Sequence, residues 1–305
     1  PKKPWFTINT TRFILVFGTI AIVFFSWSIK PVPFDYVDFD NKIVEFGADS
    51  HILPLVRIVN VVFHPFRRVL VPLDPEKLRE DAIANVGGEE GKDDHHDFGS
   101  LNDWDAFDKW VKVVDETTHF SGRLFLKNVM TDTLTTHLVI SKMIRDHPEI
   151  LDETIERPIF LASCTRAGGT FLYQVLADTF NDELVPNYAY ENFGGPIQLP
   201  HKPPRNEETE MAINLLHALN PPIKLMHEWA KESDPDEDSS WYYNTMRGIA
   251  VPFTLHSFWH HLNIYQESSA SRNKNFWEIV LKLKQWNAGG RRKQRFFLKA
   301  PEHLF

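Results

Sequence analysis

Residues 158–180 read PIFLASCTRAGGTFLYQVLADTF. Pro158 closes the element before it, and Ile159 to Ala162 form a short apolar run suited to a buried strand. Beyond the run the period changes, because Leu172, Val175, Leu176, Thr179 and Phe180 recur at helical spacing. The segment predicts strand, tight loop, helix, and with it an α/β fold built on a parallel sheet. Gly168 and Gly169 permit a turn in which backbone N–H groups converge, and the free N–H groups and dipole of the following helix favour an anion. Thr170 can cap that helix or donate to the anion, and Arg166 carries a donor fork suited to phosphate. Two readings stand here: a phosphate-binding loop, and an ordinary strand–helix turn with Arg166 on the surface. The loop is neither GxxxxGK[ST] nor GxGxxG, and Arg166 follows Cys164 by two residues rather than at the Cys-x5-Arg spacing of a phosphatase.

The 305-residue chain is long enough for a substantial core, and with 43% hydrophobic residues it is not disordered overall. Its net charge of −8 argues against a general nucleic-acid surface and leaves room for a local basic pocket. The single cysteine, Cys164, excludes an internal disulfide.

Residues 13–29, FILVFGTIAIVFFSWSI, carry no charge and reach the short edge of a membrane-spanning length. Lys2, Lys3 and Arg12 precede the stretch and Lys30 follows it. The expectation is a signal-anchor helix with a cytoplasmic N-terminus: a single-pass type II placement, in the Golgi or endoplasmic reticulum, with the membrane as a partner. Residues 52–73 form a second apolar region broken by Arg57, Asn60, His64, Arg67 and Arg68 and interrupted by Pro54 and Pro65. It reads as a helix packed on the domain or lying on a membrane surface. Residues 76–97, with Gly87-Gly88 and an acidic run, read as a solvated linker. His95 and His96 lie among aspartates without metal-ligand spacing, and His256 and His260 lack the glutamate of a zinc helix, so no metal is expected.

Trp104, Phe107 and Trp110 predict an amphipathic helix over 102–113, and Leu134, His137, Leu138 and Ile140 belong to a longer one over 124–146. Both read as scaffold, with His137 as a packed or surface residue. Trp241, Tyr242 and Tyr243, and then Phe253, Phe258 and Trp259, form an aromatic series that reads as core or as the lining of an apolar pocket.

The loop resembles the segment that grips the 5′-phosphosulfate of the sulfuryl donor in the sulfotransferase superfamily, in the branch with a P-R-[ST]-G-T-T loop. Arg166, Gly168 and Thr170 match that pattern. Ser163 stands for its first Gly, Thr165 for Pro, Ala167 for Ser or Thr, and Gly169 for the first Thr, so two hydroxyls are absent. Further segments are similar in the same order. Residues 98–150 resemble the helical lead-in. Met226-His227-Glu228-Trp229 and Pro235-Asp236-Glu237-Asp238 resemble the His-rich turn and the P-E-E segment. Gln285-Trp286 and Leu298-Lys299-Ala300-Pro301-Glu302-His303-Leu304 resemble L-Q-W and L-K-[SA]-P-x-H-L.

The resemblance implies a P-loop-like three-layer fold, a parallel sheet flanked by helices. Its coverage marks a sulfotransferase-like domain (98–305), and hydropathy and composition divide the rest into a tail and anchor (1–31) and a juxtamembrane region and linker (32–97). The motif that holds the donor 3′-phosphate normally follows L-K-[SA]-P-x-H-L, so the chain is expected to be a fragment lacking it. The implied reaction is sulfuryl transfer from 3′-phosphoadenosine 5′-phosphosulfate to a hydroxyl of a carbohydrate, lipid or small alcohol. The alternative is a weak or inactive relative that binds a phosphorylated nucleotide or serves a structural role. Thr165, Arg166, Ala167, Gly168, Gly169 and Thr170 are implied as the donor loop. His227 is the preferred base, with Glu228, Asp236 and Glu237 as rivals. Lys299 either stabilises charge near the acceptor or forms a structural salt bridge.

Overall fold

The computed structural model describes residues 35–37, 43–45, 52–87, 105–162, 167–219, 221, 231–239, 241, 244, 270–290, 294–300 and 303. The chain divides into two compact units, Pro1–Phe66 with Asn214–Glu228, and Arg67–Ile213 with Trp229–Phe305.

In the first unit, β1 (Asp35–Val37) and β2 (Ile43–Glu45) pair antiparallel, with Tyr36 opposite Val44. Helix α1 (Leu53–Phe63) follows, and then a 3-10 turn at His64–Phe66. Pro54 does not interrupt α1. It sits in the first turn, where its missing N–H has no intrahelical partner to lose, whereas Pro65 does fall at the break.

The second unit opens with the short helix α2 (Arg67–Leu70) and with α3 (Pro75–Asn85), where the sequence reads as a linker. The Asp74 side chain accepts from the Lys77 N–H at 2.9 Å, Pro75 supplies the first helical residue, and Gly87 lies just past the C-terminus at φ +100°. Helix α3 is held by Leu78 and Ala82, buried against α4 (Asp105–Thr117) and α5 (Phe120–Asp146). Phe107, Trp110, Val111 and Val114 form the buried stripe of α4, and Leu126, Met130, Leu134 and Leu138 that of α5. Arg123 is fully buried among them and is satisfied twice over. Its guanidinium donates to Val71 O at 2.8 Å and to the Asp115 carboxylate at 2.6 Å.

The sheet comes next. Strand β3 (Ile159–Leu161) leads into α6 (Gly169–Thr179), and β4 (Leu184–Pro186) into α7 (Ala189–Phe193) and α8 (Arg205–Leu219). Helix α9 (Ala270–Asn287) returns the chain to β5 (Arg295–Lys299). The order is β3-β5-β4, all parallel, with Leu161 beside Lys299 and Pro186 beside Phe297. Alternation along β5 assigns its two faces. Phe296, Leu298 and Ala300 join Phe276, Trp277, Val280, Leu281 and Leu283 of α9 in one core. Phe297 joins Tyr173 and Ala177 of α6 and Leu184 of β4 in another. The layers are helix, sheet, helix, and Lys299 lies on the α6 face.

The expected membrane-anchor helix is corrected. Among the described residues no helix is long and apolar enough to cross a membrane. A span needs about 20 apolar residues. Helix α5 has 27 residues but includes Arg123, Lys127, Asp132, Lys142, Arg145 and Asp146, and the apolar α1 stops after 11. Residues 13–29 themselves lie outside the described residues. The three-layer fold therefore stands without the anchor. The membrane partner and the type II placement in the Golgi or endoplasmic reticulum are withdrawn with it.

Candidate functional site

The site forms at the carboxyl ends of β3 and β5, the end of a parallel sheet at which α/β folds place ligands. Helix α6 begins there. Gly168 precedes it at φ +76°, ψ 14°, a left-handed conformation that glycine adopts without strain. The first intrahelical bond runs from Leu172 N to Gly168 O at 3.0 Å, so helix geometry gives the N–H groups of Gly169, Thr170 and Phe171 no acceptor within the helix. No acidic residue lies in this first turn to occupy the positive end of the dipole.

Lys299 rises beneath that turn. It ends β5 on the α6 face, and its side chain is 4% exposed. A lysine so deeply buried needs partners. Among the described residues its Nζ donates to Thr170 Oγ1 at 3.2 Å and forms an ion pair with Glu237 Oε1. The other Glu237 oxygen accepts from Ser239 Oγ at 2.9 Å. Thr170, Glu237 and Lys299, which lie far apart in sequence, thus meet at one point.

The strand-like strap that carries Glu237 is fixed on each side. Asp238 N donates to Lys299 O at 3.2 Å, and Asp236 N to Asn187 O at 3.0 Å. Asn187 Nδ2 donates to Glu237 O at 2.8 Å. The fully buried Asp238 carboxylate accepts from Trp277 Nε1 at 2.8 Å and pairs with His303 Nε2 at 3.0 Å, while the His303 ring packs edge-on against Phe160. Tyr173 ties α6 to the same frame. Its hydroxyl donates to Phe297 O and accepts from Asn187 N, each at 2.7 Å. Burial, with the charge of Asp238 next, pushes the Tyr173 phenol well above its ordinary value of 10.

Of the residues expected in the donor loop, Gly169 and Thr170 open α6, and Ala167 and Gly168 are exposed just before it. Thr165 and Arg166 lie outside the described residues, as do His227 and Glu228. Asp236, a rival for the base, is 1% exposed, and its carboxylate accepts from Asn192 Nδ2 at 2.8 Å. His137 is packed in the core against Phe276, with Nε2 2.6 Å from Asn244 O. Trp241 is fully buried beside Trp277, while Tyr242, Tyr243, Phe253, Phe258 and Trp259 lie outside the described residues. No group of three His, Cys, Asp or Glu residues is arranged to hold a metal among the described residues. His95, His96, His256 and His260 are not among them. Sequence reasoning missed Ser239, Asn187 and the Asp238–His303–Trp277 cluster. In the sequence Asp238 and His303 stand only as members of the segments 235–238 and 298–304, with no role given to either.

No protein-family model matches the chain, and no curated protein matches it. Solved structures similar in fold include sulfotransferase STF1 from Mycobacterium tuberculosis H37Rv, at 17% identity and a TM-score of 0.55, over 76% of this chain and 62% of that one. Sulfotransferase STF9 from Mycobacterium avium is similar at 18% identity and a TM-score of 0.55, over 76% of this chain and 57% of that one. At these identities the likeness is one of fold. The match spans about three fifths of the length of those proteins.

The described residues fit the phosphosulfate end of the donor named above. The amides of Gly169, Thr170 and Phe171, the Thr170 hydroxyl and the Lys299 ammonium, which is paired with Glu237, lie at the start of α6, and donors of this kind suit an anion.

Proposed function

We propose that the chain binds 3′-phosphoadenosine 5′-phosphosulfate and transfers its sulfuryl group to a hydroxyl acceptor of the carbohydrate, lipid or small-alcohol class. The observation that carries this reading is the meeting of Thr170, Lys299 and Glu237 at the start of α6, on a fold shared with sulfotransferases. Arg166, the amides of Gly168 to Thr170 and the Thr170 hydroxyl hold the phosphosulfate. Lys299 offsets the charge that grows on the leaving phosphate. Glu237 takes the acceptor proton as the acceptor oxygen bonds to sulfur and the bond from sulfur to the 5′-phosphate oxygen breaks, releasing 3′,5′-adenosine bisphosphate. Glu237 is preferred to His227 and Glu228 because the ion pair and the Ser239 bond hold its carboxylate beside the donor helix.

The test is calorimetric titration of the chain with 3′,5′-adenosine bisphosphate, followed by a screen of labelled donor against hydroxyl acceptors. Binding is expected, and Arg166→Ala should weaken it about 10- to 100-fold, the range for loss of charge-assisted hydrogen bonds. Absence of binding by the folded protein overturns the reading. Binding without transfer to any acceptor points instead to the donor-binding relative, in line with the two hydroxyls that Ala167 and Gly169 lack.

A further inference from the structure

One cation serves both halves of the site. Lys299 Nζ touches Thr170 Oγ1, in the turn whose amides face the anion, and also Glu237 Oε1. At 4% exposure it has little water with which to share its charge. Glu237 also holds Ser239 Oγ at 2.9 Å, so its carboxylate has a second anchor independent of the lysine. The backbone beneath it is fixed by Asn187 and by β5.

We infer that Glu237 and the donor's phosphosulfate compete for the Lys299 ammonium, so that occupation of the donor site frees the carboxylate to act as base while Ser239 keeps it in place. This rests on the donor reading above and adds to it a coupling between donor binding and the base. The physical ground is mutual. An anion at the start of α6 draws the ammonium toward itself and away from Glu237, and the Glu237 charge lowers the affinity of the site for that anion. Linkage requires the two effects to be equal in free energy. The carboxylate is then freed only while an anion occupies the donor site.

The experiment uses 3′,5′-adenosine bisphosphate as the probe and measures affinity in a double-mutant cycle, so it needs no acceptor. Glu237→Gln is isosteric, keeps an oxygen and removes the competing charge. It should bind the probe about fivefold or more tightly than the unmodified chain, the lower end of typical coupling. Lys299→Gln keeps an N–H toward Thr170 and Glu237 but no charge. In that background the gain from Glu237→Gln should shrink or vanish, because the shared cation is gone. Thermal melts confirm that each variant is folded, and the Glu237→Gln comparison decides alone if Lys299→Gln does not fold. Equal affinity of Glu237→Gln and the unmodified chain overturns the coupling and leaves the donor reading standing. A gain of the same size with and without Lys299 overturns the role of the shared cation. No binding by any form removes the donor reading, and the coupling with it.

Discussion

Gly168 shows how one residue's backbone sets the site. It has φ +76°, and a Cβ built there meets nothing within 4 Å. The space is open and the conformation is not, so Gly168→Ala should lose about 1 kcal/mol from left-handed strain alone. Urea denaturation measures this, and a loss near zero would mean that the turn relaxes freely. The residues around it show what sequence can reveal. Gly168, Gly169 and Thr170 were legible because a strand-to-helix change of period brackets them, and Lys299 through its place in the segment 298–304. Ser239 was not legible. A serine two residues after a glutamate is unremarkable in sequence, and its role comes from a 2.9 Å hydrogen bond that exists only in the fold.

At the scale of the element, helix α6 is legible from its spacing, while its attachment to the sheet is not. Tyr173 reads in sequence as one more aromatic. In the fold it is fully buried, and its hydroxyl joins β5 to the end of β4 through Phe297 O and Asn187 N. Tyr173→Phe leaves the buried Asn187 N–H without that acceptor and should cost about 2 kcal/mol. A pH signature accompanies it. The folded phenol loses its proton well above 10, whereas in the unfolded chain it does so near 10. The folded state therefore holds the proton longer. The stability from this group is full below pH 10 and is lost as pH rises above 10 through the folded value. Denaturation curves between pH 9 and 11 should show a shallower decline for Tyr173→Phe, by up to about 1.4 kcal/mol per pH unit for the one group. Equal slopes would refute the assignment. Helix α3 teaches the converse lesson. Its start was written in Asp74-Pro75, a cap followed by a favoured first residue, but the charged and glycine-rich run after it read as linker. Packing of Leu78 and Ala82 on α4 and α5 holds it, and that partner surface has no local signature.

At the scale of the whole second unit, helix α9 and the end of β5 meet at Asp238. This carboxylate lies beside Glu237, yet Trp277 donates to it from α9, on the far face of the sheet, and His303 holds it from the turn after β5. Its own N–H is bonded to Lys299 O. The helix on the far face from α6 thus bears on the strap that carries Glu237, the proposed base. The α/β class and the parallel sheet could be read from the strand–loop–helix unit. The order β3-β5-β4 could not, because it depends on a strand that ends the described chain inserting between two earlier ones. Trp277→Phe isolates the long-range link. The ring remains to pack against Phe276 and Trp241, while the bond to a fully buried carboxylate is lost. A hydrogen bond to a charged group contributes about 1.5–3 kcal/mol, and His303 stays as the remaining partner, so a loss of about 2 kcal/mol is expected in chemical denaturation. If α9 braces the strap that carries Glu237, bisphosphate affinity should change little, because α6 and Arg166 are untouched, while the transfer rate falls. A stability loss with an unchanged transfer rate would restrict Trp277 to holding the core. Equal losses in affinity and rate would show that the layers move as one body and that the donor loop depends on α9 as well.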